Sequence, residues 1–358
     1  MVRTEPDFMP ESATVPLDWA RLARYLRQFD LMFDPAIHPR QFAGGFGNLN
    51  YLLVINDTEY VLRRPPLGPI PPGANDMARE YKVLSALHPA FPLAPKTRQL
   101  CTDASVVGAP FILLDYRRGL IIRAHLPSQL KSTKVGPKLS QMLVDVLVDL
   151  HAIDPARIGL KHLGRPEGFL GRTITGWAVR AALAVDGAQL LPPTEELVTW
   201  LRRELPPDCP AEQATLLHND FKLDNIVLDP KTLAPVAVLD WDMGSRGDPM
   251  FDLATLLSYW TQADDPPALH ALRQMPTAAK GFASRAEVIA AYAQATGRDV
   301  SNIRFYRVLT MFKLAVVFLQ LGAQRRRGTS TDPRFAGFDK LAADLMLVAH
   351  DIARGRLE

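Results

Sequence analysis

Two short segments of the chain carry carboxylate, amide and amine side chains at a spacing suited to phosphoryl transfer. The first contains His218, Asp220, Lys222 and Asn225 in the pattern H-x-D-x-K-x-x-N. In that pattern the aspartate meets an acceptor hydroxyl, and the asparagine five residues later holds a metal ion. The second is an apolar run that ends at Asp240, a further candidate metal ligand. Phosphoryl transfer needs charge neutralisation and alignment rather than covalent help, so these few groups can suffice.

The residues between the two segments predict a β-hairpin that would hold Asn225 and Asp240 near each other at its open end. The apolar runs 226–228 and 236–239 have the length of short buried strands, and an Asp-Pro pair between them is typical of a turn. An isolated Asp or Asn beside a turn is usually a cap. Four matched positions in one octet, followed by a strand that ends in Asp, favour the catalytic interpretation here.

A glycine-rich loop far upstream predicts the other half of a nucleotide site. Strand-like runs at 51–55 and 60–62 follow it, joined by an Asn-Asp turn, so the loop opens a β-hairpin. Glycines allow backbone N–H groups to approach phosphate oxygens without a side-chain clash. Such a loop is a weak signal alone, but the octet downstream strengthens it. The loop residues are Gly44, Gly45, Phe46, Gly47 and Asn48.

The second strand of this hairpin ends in two arginines, one of which is expected to bind the nucleotide phosphates. Protein kinases place a lysine there, in a V-A-I-K pattern. Here the residues are Val61-Leu62-Arg63-Arg64, and Arg63 occupies the aligned position. The pattern leaves open whether Arg63 or Arg64 binds the phosphates, and a basic pair at a strand end can also be merely solvated. The amphipathic run 76–87 predicts a helix that offers Glu80 to this cation.

These residues together resemble the aminoglycoside phosphotransferase family, within the wider choline-kinase-like and protein-kinase-like group. The closest likeness is to the kinase-like domain found beside acyl-CoA dehydrogenases, and it extends over roughly residues 40 to 260. Besides the octet, the segments that carry the resemblance are 44–48, 61–66, 79–80, 150–154, 239–241 and 247–254.

The resemblance implies an α+β, two-lobed protein-kinase-like fold with ATP and Mg²⁺ bound in a cleft. A small β-rich lobe, residues 1–116, would contain the N-terminal helix, the glycine-rich loop and the hinge. A larger, mainly helical lobe, residues 117–358, would contain the catalytic loop and the metal-binding hairpin. Helices are predicted over 16–31, 76–87, 138–151, 173–185, 194–205, 253–260, 284–295, 303–327 and 338–354.

The resemblance also implies roles for individual residues. Asp220 and Lys222 would be catalytic, and Asn225 and Asp240 would ligate Mg²⁺. The residues expected to contact ATP are Gly44, Gly45, Phe46, Gly47, Asn48, Arg63, Glu80 and the hinge residues Leu114 and Tyr116.

Several residues near the motifs have more than one interpretation. Lys222 could steady the transferring phosphoryl group or pair with a local carboxylate. His218 is expected to be a buried hydrogen-bonding scaffold rather than a base. Asp242 would share a strand face with Asp240, where it would assist the metal or end the strand. Asp248 and Asp252 precede a helix and are expected to cap it and to brace the loop.

The composition of the chain gives no positive indication of a partner. With 41 basic and 38 acidic residues, the net charge of +3 indicates neither nucleic acid nor membrane as a partner. Two cysteines fit a reducing, cytoplasmic setting without a disulfide framework. The N-terminal residues lack the apolar segment of a signal peptide, and no uninterrupted apolar stretch reaches membrane-spanning length. Nothing in the sequence indicates an oligomeric state.

A small-molecule hydroxyl acceptor is favoured over a protein, because the stretch from Asp240 to Asp252 is too short for a peptide-docking activation segment. Basic residues on the predicted helices suggest an anionic or neutral acceptor, and the resemblance to the kinase-like domain found beside acyl-CoA dehydrogenases suggests a hydroxyacyl-CoA. The run Arg325 to Arg327 either complements a helix C-terminus or binds phosphate or CoA. The alternatives are a nucleotide-binding regulatory pseudokinase, because Arg replaces Lys on the cation strand, and, less favoured, a protein kinase. The basic residues used in this argument are Arg172, Arg180, Arg304, Arg307, Lys313 and Arg325 to Arg327.

Overall fold

The computed structural model describes residues 6–44, 47–68, 75–130, 132–187, 189–330 and 332–357. Two members of the predicted glycine-rich loop, Gly45 and Phe46, lie outside these ranges. The chain divides into two compact units. The first unit comprises Met1–Ile121, Ala156–Leu160 and Asn225–Gly244, and the second comprises Ile122–Pro155, Lys161–Asp224 and Ser245–Glu358.

A five-stranded antiparallel sheet with the strand order β1-β2-β3-β5-β4 forms the centre of the first unit. Two helices, α1 (Trp19–Arg27) and α2 (Met77–Leu87), belong to the same unit, and each begins after an aspartate whose side chain accepts a backbone N–H. The five strands are β1 (Arg40–Gln41), β2 (Leu49–Ile55), β3 (Thr58–Arg64), β4 (Thr97–Cys101) and β5 (Phe111–Asp115).

One face of this sheet packs against α1. Leu22 and Leu26 of the helix are fully buried together with Tyr51 and Leu53 of β2 and Leu62 of β3. Alternate residues of a strand point to the same face, so the apolar residues of β2 and β3 build one continuous core. This core fixes β3, and therefore the two arginines at its end.

The predicted hairpin is present and belongs to a second, three-stranded sheet of the first unit. Its strands are β6 (Leu120–Ile121), β8 (Ile226–Leu228) and β9 (Pro235–Val238), in the order β6-β8-β9. At the open end the Leu239 N–H donates to the Asn225 carbonyl oxygen at 2.7 Å. Asn225 and Asp240 therefore do lie close along the hairpin ends.

The two compact units of the structure do not meet at the boundary between residues 116 and 117 that the sequence suggested. The sequence division placed the hairpin in the helical lobe. In the structure β8 pairs with β6, and the Val238 N–H donates to the Leu93 carbonyl oxygen, so the hairpin clusters with the first unit. The boundary between the units thus falls inside the octet, between Asp224 and Asn225.

The second unit is mainly helical, with one small sheet. Strands β7 (Thr215–Leu217) and β10 (Ser245–Gly247) pair in antiparallel register. The helices are α3 (Val135–His151), α4 (Phe169–Ala184), α5 (Thr194–Arg203), α6 (Pro249–Tyr259), α7 (Pro267–Leu272), α8 (Arg285–Thr296), α9 (Ile303–Arg326) and α10 (Phe338–Ala353).

Helix α9 is the central element of this unit, since α4, α5, α6 and α10 all pack against it. In the part of the chain that the structure describes, α9 alone is long and apolar enough to cross a membrane. However, 83% of its most apolar window is buried inside the protein, as in the core helix of a globular unit. The apolar character of α9 is therefore explained by packing.

Most predicted helices are present with ends shifted by a few residues, but one local prediction was wrong and two elements were missed. Helix α7 and the small β7–β10 sheet were not predicted. Strand β9 ends at Val238, and Asp240 has a φ of +70°, so Asp240 and Asp242 do not share a strand face. An aspartate tolerates this left-handed conformation, which turns the chain at the point where the carboxylate is needed.

Candidate active site

The backbone of the octet is held in place by a buried carboxylate of α6. The N–H groups of His218 and Asn219 donate to the two oxygens of Asp252, at 2.6 and 2.7 Å. Asn219 has a φ of +64°, a conformation that a double anchor of this kind can hold. His218 is fully buried, and its Nδ1 accepts the N–H of Asp220 at 3.3 Å. The bracing roles predicted for His218 and Asp252 are confirmed.

The side chain of Asp220 is bonded at both of its oxygens. The Tyr259 hydroxyl donates to Oδ1 at 2.7 Å, and the Lys222 Nζ lies 3.2 Å from Oδ2. Burial raises the pKa of Asp220, but the charges of Lys222 and Lys313 and the hydrogen bond from Tyr259 outweigh it, so the pKa lies below its ordinary value. Asp220 is therefore an ionised carboxylate, as a hydroxyl-orienting group must be.

Lys222 pairs with the local carboxylates, one of the two roles left open by its sequence position. In addition to Asp220, it donates to Gln274 Oε1 at 3.0 Å and lies 3.7 Å from Asp224 Oδ1. Its ammonium also stands over the Tyr259 ring, 4.6 Å from the centroid. Burial lowers the pKa of Lys222, but Asp220 more than offsets this and holds it well above the ordinary value. Its contact with a transferring phosphoryl group stays a prediction.

In the first unit, Arg63 joins two carboxylates. Its Nε donates to Glu80 Oε2 at 3.0 Å, and its Nη2 donates to Asp240 Oδ1 at 2.5 Å. The predicted ion pair with Glu80 is therefore present. Burial lowers the pKa of Arg63, but the charges of Glu80, Asp240 and Asp242 raise it by a larger amount. The guanidinium is therefore permanently charged. Burial also raises the pKa of Glu80, which Arg63 opposes.

Arg64 has a different environment from Arg63. Its Nη1 donates to the Val107 carbonyl oxygen at 2.7 Å, and its Nε donates to the Pro65 carbonyl oxygen at 3.0 Å. Because both bonds go to backbone carbonyls, Arg64 acts as a brace between β3 and the loop before β5. Arg63 alone of the pair contacts the carboxylates, so it is the better candidate for the phosphate-binding cation.

The residues around Asp240 suit a hard divalent cation. Three carboxylates, those of Glu80, Asp240 and Asp242, act on the single guanidinium of Arg63. This leaves an excess of negative charge, and the Asp240 side chain is 43% exposed. Asn225 closes a 3₁₀ turn and leads directly into β8. Carboxylate and amide oxygens are the ligands that Mg²⁺ prefers, so the donor set fits this ion.

The remaining predicted ATP contacts are only partly described. Asn48 is buried and accepts a hydrogen bond from Asn75 Nδ2 at 3.0 Å, which fixes the end of the loop. Leu114 is buried in β5, paired with Val61 of β3. The Tyr116 ring contacts the Phe42 ring, with 5.9 Å between centroids. The roles of these residues in binding adenine or phosphate stay predictions, as do those of Gly44 and Gly47.

The basic residues that suggested an anionic acceptor are largely committed to contacts within the protein. Arg172 donates to the carbonyl oxygens of Arg165 and Glu167, and Lys313 donates to that of Asn219. Arg326 and Arg327 pair with Asp186 and Asp339 and also donate to carbonyl oxygens at the C-terminal end of α4. The charge-based argument for the acceptor therefore loses its support, because these cations brace helices and loops.

Three residues at the site were missed by the sequence analysis, and a fourth, Lys313, was given a different role there. Tyr259 and Gln274 contact Asp220 and Lys222, Lys313 holds the octet backbone, and Met275 Sδ accepts the Leu223 N–H at 3.3 Å. All four lie at least 39 positions from their partner in the octet. No local pattern marks such contacts, and Tyr259 lies in an apolar helix where the pattern predicts only core packing.

Comparison with known sequences identifies relatives over most of the chain. The sequence profile described as the phosphotransferase enzyme family matches residues 38–300. Acyl-CoA dehydrogenase family member 11 of Gallus gallus is 32% identical over 339 residues, which cover 90% of this chain and 41% of that protein. Acyl-CoA dehydrogenase family member 10 of Mus musculus is 27% identical over 354 residues, covering 97% and 32%. The chain thus spans between about a third and two fifths of the length of these curated relatives.

Comparison with solved structures identifies the same architecture. A provisionally assigned aminoglycoside phosphotransferase of Ralstonia eutropha superposes with a TM-score of 0.76 and 25% identity, covering 95% of this chain and 99% of that chain. An ethanolamine kinase of Plasmodium vivax gives a TM-score of 0.59 at 14% identity, covering 92% and 84%. At that identity the likeness shows the fold alone. The predicted α+β, kinase-like fold and the resemblance to this group are confirmed.

Proposed function

Because the chain belongs to the phosphotransferase enzyme family, we propose that it transfers the γ-phosphate of ATP to a hydroxyl group of a small molecule. The observation that carries the proposal is the state of Asp220. This carboxylate is ionised, lies in the octet at the catalytic position, and is held by Tyr259 and Lys222. A carboxylate so placed orients an alcohol and accepts its proton.

The second unit supplies the acceptor side of the proposed reaction. Asp220 orients the attacking hydroxyl and takes its proton. Lys222 neutralises Asp220, and its ammonium is positioned to offset negative charge beside the attacking oxygen. Because the ion pair with Asp220 and the contact with the Tyr259 ring fix the ammonium, little reorganisation is required when charge develops.

The first unit supplies the nucleotide side. Arg63, held by Glu80, presents a permanent positive charge suited to phosphate oxygens. Asn225 and Asp240 would hold Mg²⁺, which, when bound, screens the charge of the phosphates and orients them. The hinge strand β5 and the glycine-rich loop would bind the adenine and the phosphate chain.

The acceptor is proposed to be an alcohol of the hydroxyacyl-CoA type or another anionic or neutral metabolite. The support is now the relatives, whose names associate them with acyl-CoA dehydrogenases. The cations that suggested this class from the sequence do not support it, because they brace the protein. Because the charge argument no longer disfavours polycationic aminoglycosides, they should be tested as acceptors beside the CoA thioesters.

A second candidate function is a nucleotide-binding regulator without turnover. One observation favours it: Asp240, the expected metal ligand, is already bonded to Arg63 at 2.5 Å. Against it, a pure binder has no use for an ionised carboxylate at position 220.

The test is ADP release from ATP and Mg²⁺ across a panel of acceptors, with Asp220→Asn as the matched variant. The panel contains hydroxyacyl-CoA thioesters, sugars, choline-like alcohols and aminoglycosides. We expect acceptor-dependent release that falls by about 10²- to 10⁴-fold in the variant while ATP binding persists. Binding of ATP with no release above background for any acceptor, and no effect of the substitution, would favour the regulator.

A further inference from the structure

Helix α6 fixes the octet at two levels. Asp252 binds the backbone N–H groups of His218 and Asn219, and Tyr259 binds the side chain of Asp220. Seven residues separate Asp252 from Tyr259, which is about two helical turns, so the two side chains project from one face of α6. A single rigid helix therefore sets both the path of the loop and the orientation of its carboxylate.

Tyr259 is a pure hydrogen-bond donor in this position. It is 7% exposed and ends α6. Burial and the nearby Asp220 raise the pKa of Tyr259 well above its ordinary value, so the phenol keeps its proton. Its hydroxyl therefore donates to Oδ1 of Asp220 and does not compete for the proton of a substrate.

The two oxygens of Asp220 are consequently not equivalent. Oδ1 accepts the Tyr259 hydroxyl at 2.7 Å, whereas Oδ2 faces Lys222 at 3.2 Å. An aspartate carboxyl turns readily about its terminal torsion unless its oxygens are bonded. The bond to Tyr259 blocks this rotation and leaves Oδ2, beside the ammonium, as the oxygen that meets an incoming hydroxyl.

We propose that Tyr259 is a positioning residue for phosphoryl transfer, which locks Asp220 so that Oδ2 alone accepts the acceptor's proton. The inference rests on the proposed function. In the step, the acceptor oxygen forms a bond to the γ-phosphorus, the bond from that phosphorus to the β,γ-bridging oxygen breaks, and ADP leaves. The proton of the acceptor hydroxyl passes to Oδ2. Until the transfer, Lys222 stabilises the ionised carboxylate of Asp220.

The test is Tyr259→Phe, which removes one oxygen and keeps the ring against Lys222. We expect kcat to fall at least about tenfold, the usual effect of losing a hydrogen bond to a charged group, with KM for ATP unchanged. The acidic limb of kcat/KM should move to higher pH, because the hydrogen bond from Tyr259, one of the interactions that lower the pKa of Asp220 beside the charges of His218, Lys222 and Lys313, would be lost. Tyr306→Phe is the matched control: its hydroxyl donates to Asp248 at 2.6 Å, outside the octet.

A measurement without turnover separates this inference from the proposed function. The effects of Tyr259→Phe and Asp220→Ala on unfolding should be coupled. The unfolding equilibrium constant of the double variant should be about tenfold smaller than the two single effects multiplied together would give. Independent effects, or a kcat and pH profile equal to those of Tyr306→Phe, would overturn the positioning role. Coupling without turnover of any acceptor would support the lock and count against the phosphotransferase.

Discussion

The negative charge of the carboxylates is neutralised in different ways in two clusters, one in each unit. In the first unit a single guanidinium, Arg63, serves Glu80 and Asp240, with Asp242 near it. In the second unit Asp220 has a neutral donor, Tyr259, and a cation, Lys222. The first cluster keeps excess negative charge, as a site for a divalent cation requires. In the second cluster the charge of Asp220 is nearly balanced by that of Lys222, which suits a carboxylate proposed to accept one proton.

The difference shows how a cation can either compete or assist. Arg63 occupies an oxygen of Asp240 that a metal ion would also use, so binding of Mg²⁺ must displace or share that bond. Lys222 lies 3.2 Å from Oδ2 of Asp220, the oxygen proposed to meet the acceptor hydroxyl, so it would assist the proposed reaction without having to leave. Three of the following four predictions concern one cluster and leave the other intact, and the last concerns a surface pair that belongs to neither.

Glu80→Ala should have the largest effect on stability. It leaves the buried guanidinium of Arg63 with one partner fewer, and breaking a buried pair in this way typically costs about 3–5 kcal/mol. Urea denaturation measures the loss. Glu59→Ala is the control, since Glu59 pairs with the exposed Arg118 and should cost at most about 1 kcal/mol. Equal losses for both variants would show that the Arg63 cluster is not a buried ion pair.

Arg63→Lys should cost less and should change metal binding. A lysine cannot keep both bonds of the guanidinium fork, so we expect a loss of about 1–3 kcal/mol in the free energy of unfolding. Because Asp240 is then released while the charge is kept, Mg²⁺ should bind more tightly in a calorimetric titration. Weaker or unchanged Mg²⁺ binding would contradict the view that Arg63 competes with the metal.

The pH dependence of stability should separate Asp220 from an ordinary aspartate. Its pKa in the folded protein lies below the ordinary value of 3.8. Its ionised form therefore contributes stability that is fully present above pH 3.8 and is lost as the pH falls through the lower folded value. The difference in unfolding free energy between wild type and Asp220→Asn should be flat at neutral pH and should shrink as the pH falls toward and below 3.8. A difference that grows as the pH falls would show that the folded protein raises the pKa of Asp220.

Arg327→Ala should have the smallest effect. Its guanidinium pairs with Asp186 at the surface and donates to the Leu183 carbonyl oxygen, and exposed pairs contribute about 0–1 kcal/mol. We expect unchanged ATP binding and unchanged acceptor KM. A rise in KM for a CoA thioester, with normal KM for a neutral alcohol, would instead restore the phosphate-binding interpretation of this basic run.

The local patterns of the sequence predicted much of the fold and the motif residues. The alternation of β2 and β3, the hairpin and most helices are visible because the same face of each element is apolar. The sequence could not choose between Arg63 and Arg64, since both end one strand. The structure distinguishes them, because Arg63 donates to Glu80 and Asp240 whereas Arg64 donates to backbone carbonyl oxygens.

The wrong or missing predictions concern contacts distant in sequence and short elements. Helix α7 has six residues and opens with proline, too short for a helical repeat to show. Asp240 was expected on a strand, but its left-handed φ ends the strand two residues earlier. Tyr259 meets Asp220 across 39 positions. Lys313 was interpreted as facing a ligand, whereas it holds a backbone carbonyl.

If the two carboxylates have separate tasks, Asp220→Asn and Asp240→Asn should lose different functions. Calorimetry would measure ATP binding with and without Mg²⁺, and ADP release would measure turnover with the best acceptor. We expect Asp220→Asn to bind Mg²⁺ and ATP within about twofold of wild type, whereas its turnover should fall by about 10²- to 10⁴-fold. Asp240→Asn should lose the Mg²⁺ dependence of ATP binding. Equal loss of binding in both variants, or normal turnover in Asp220→Asn, would contradict this separation of tasks.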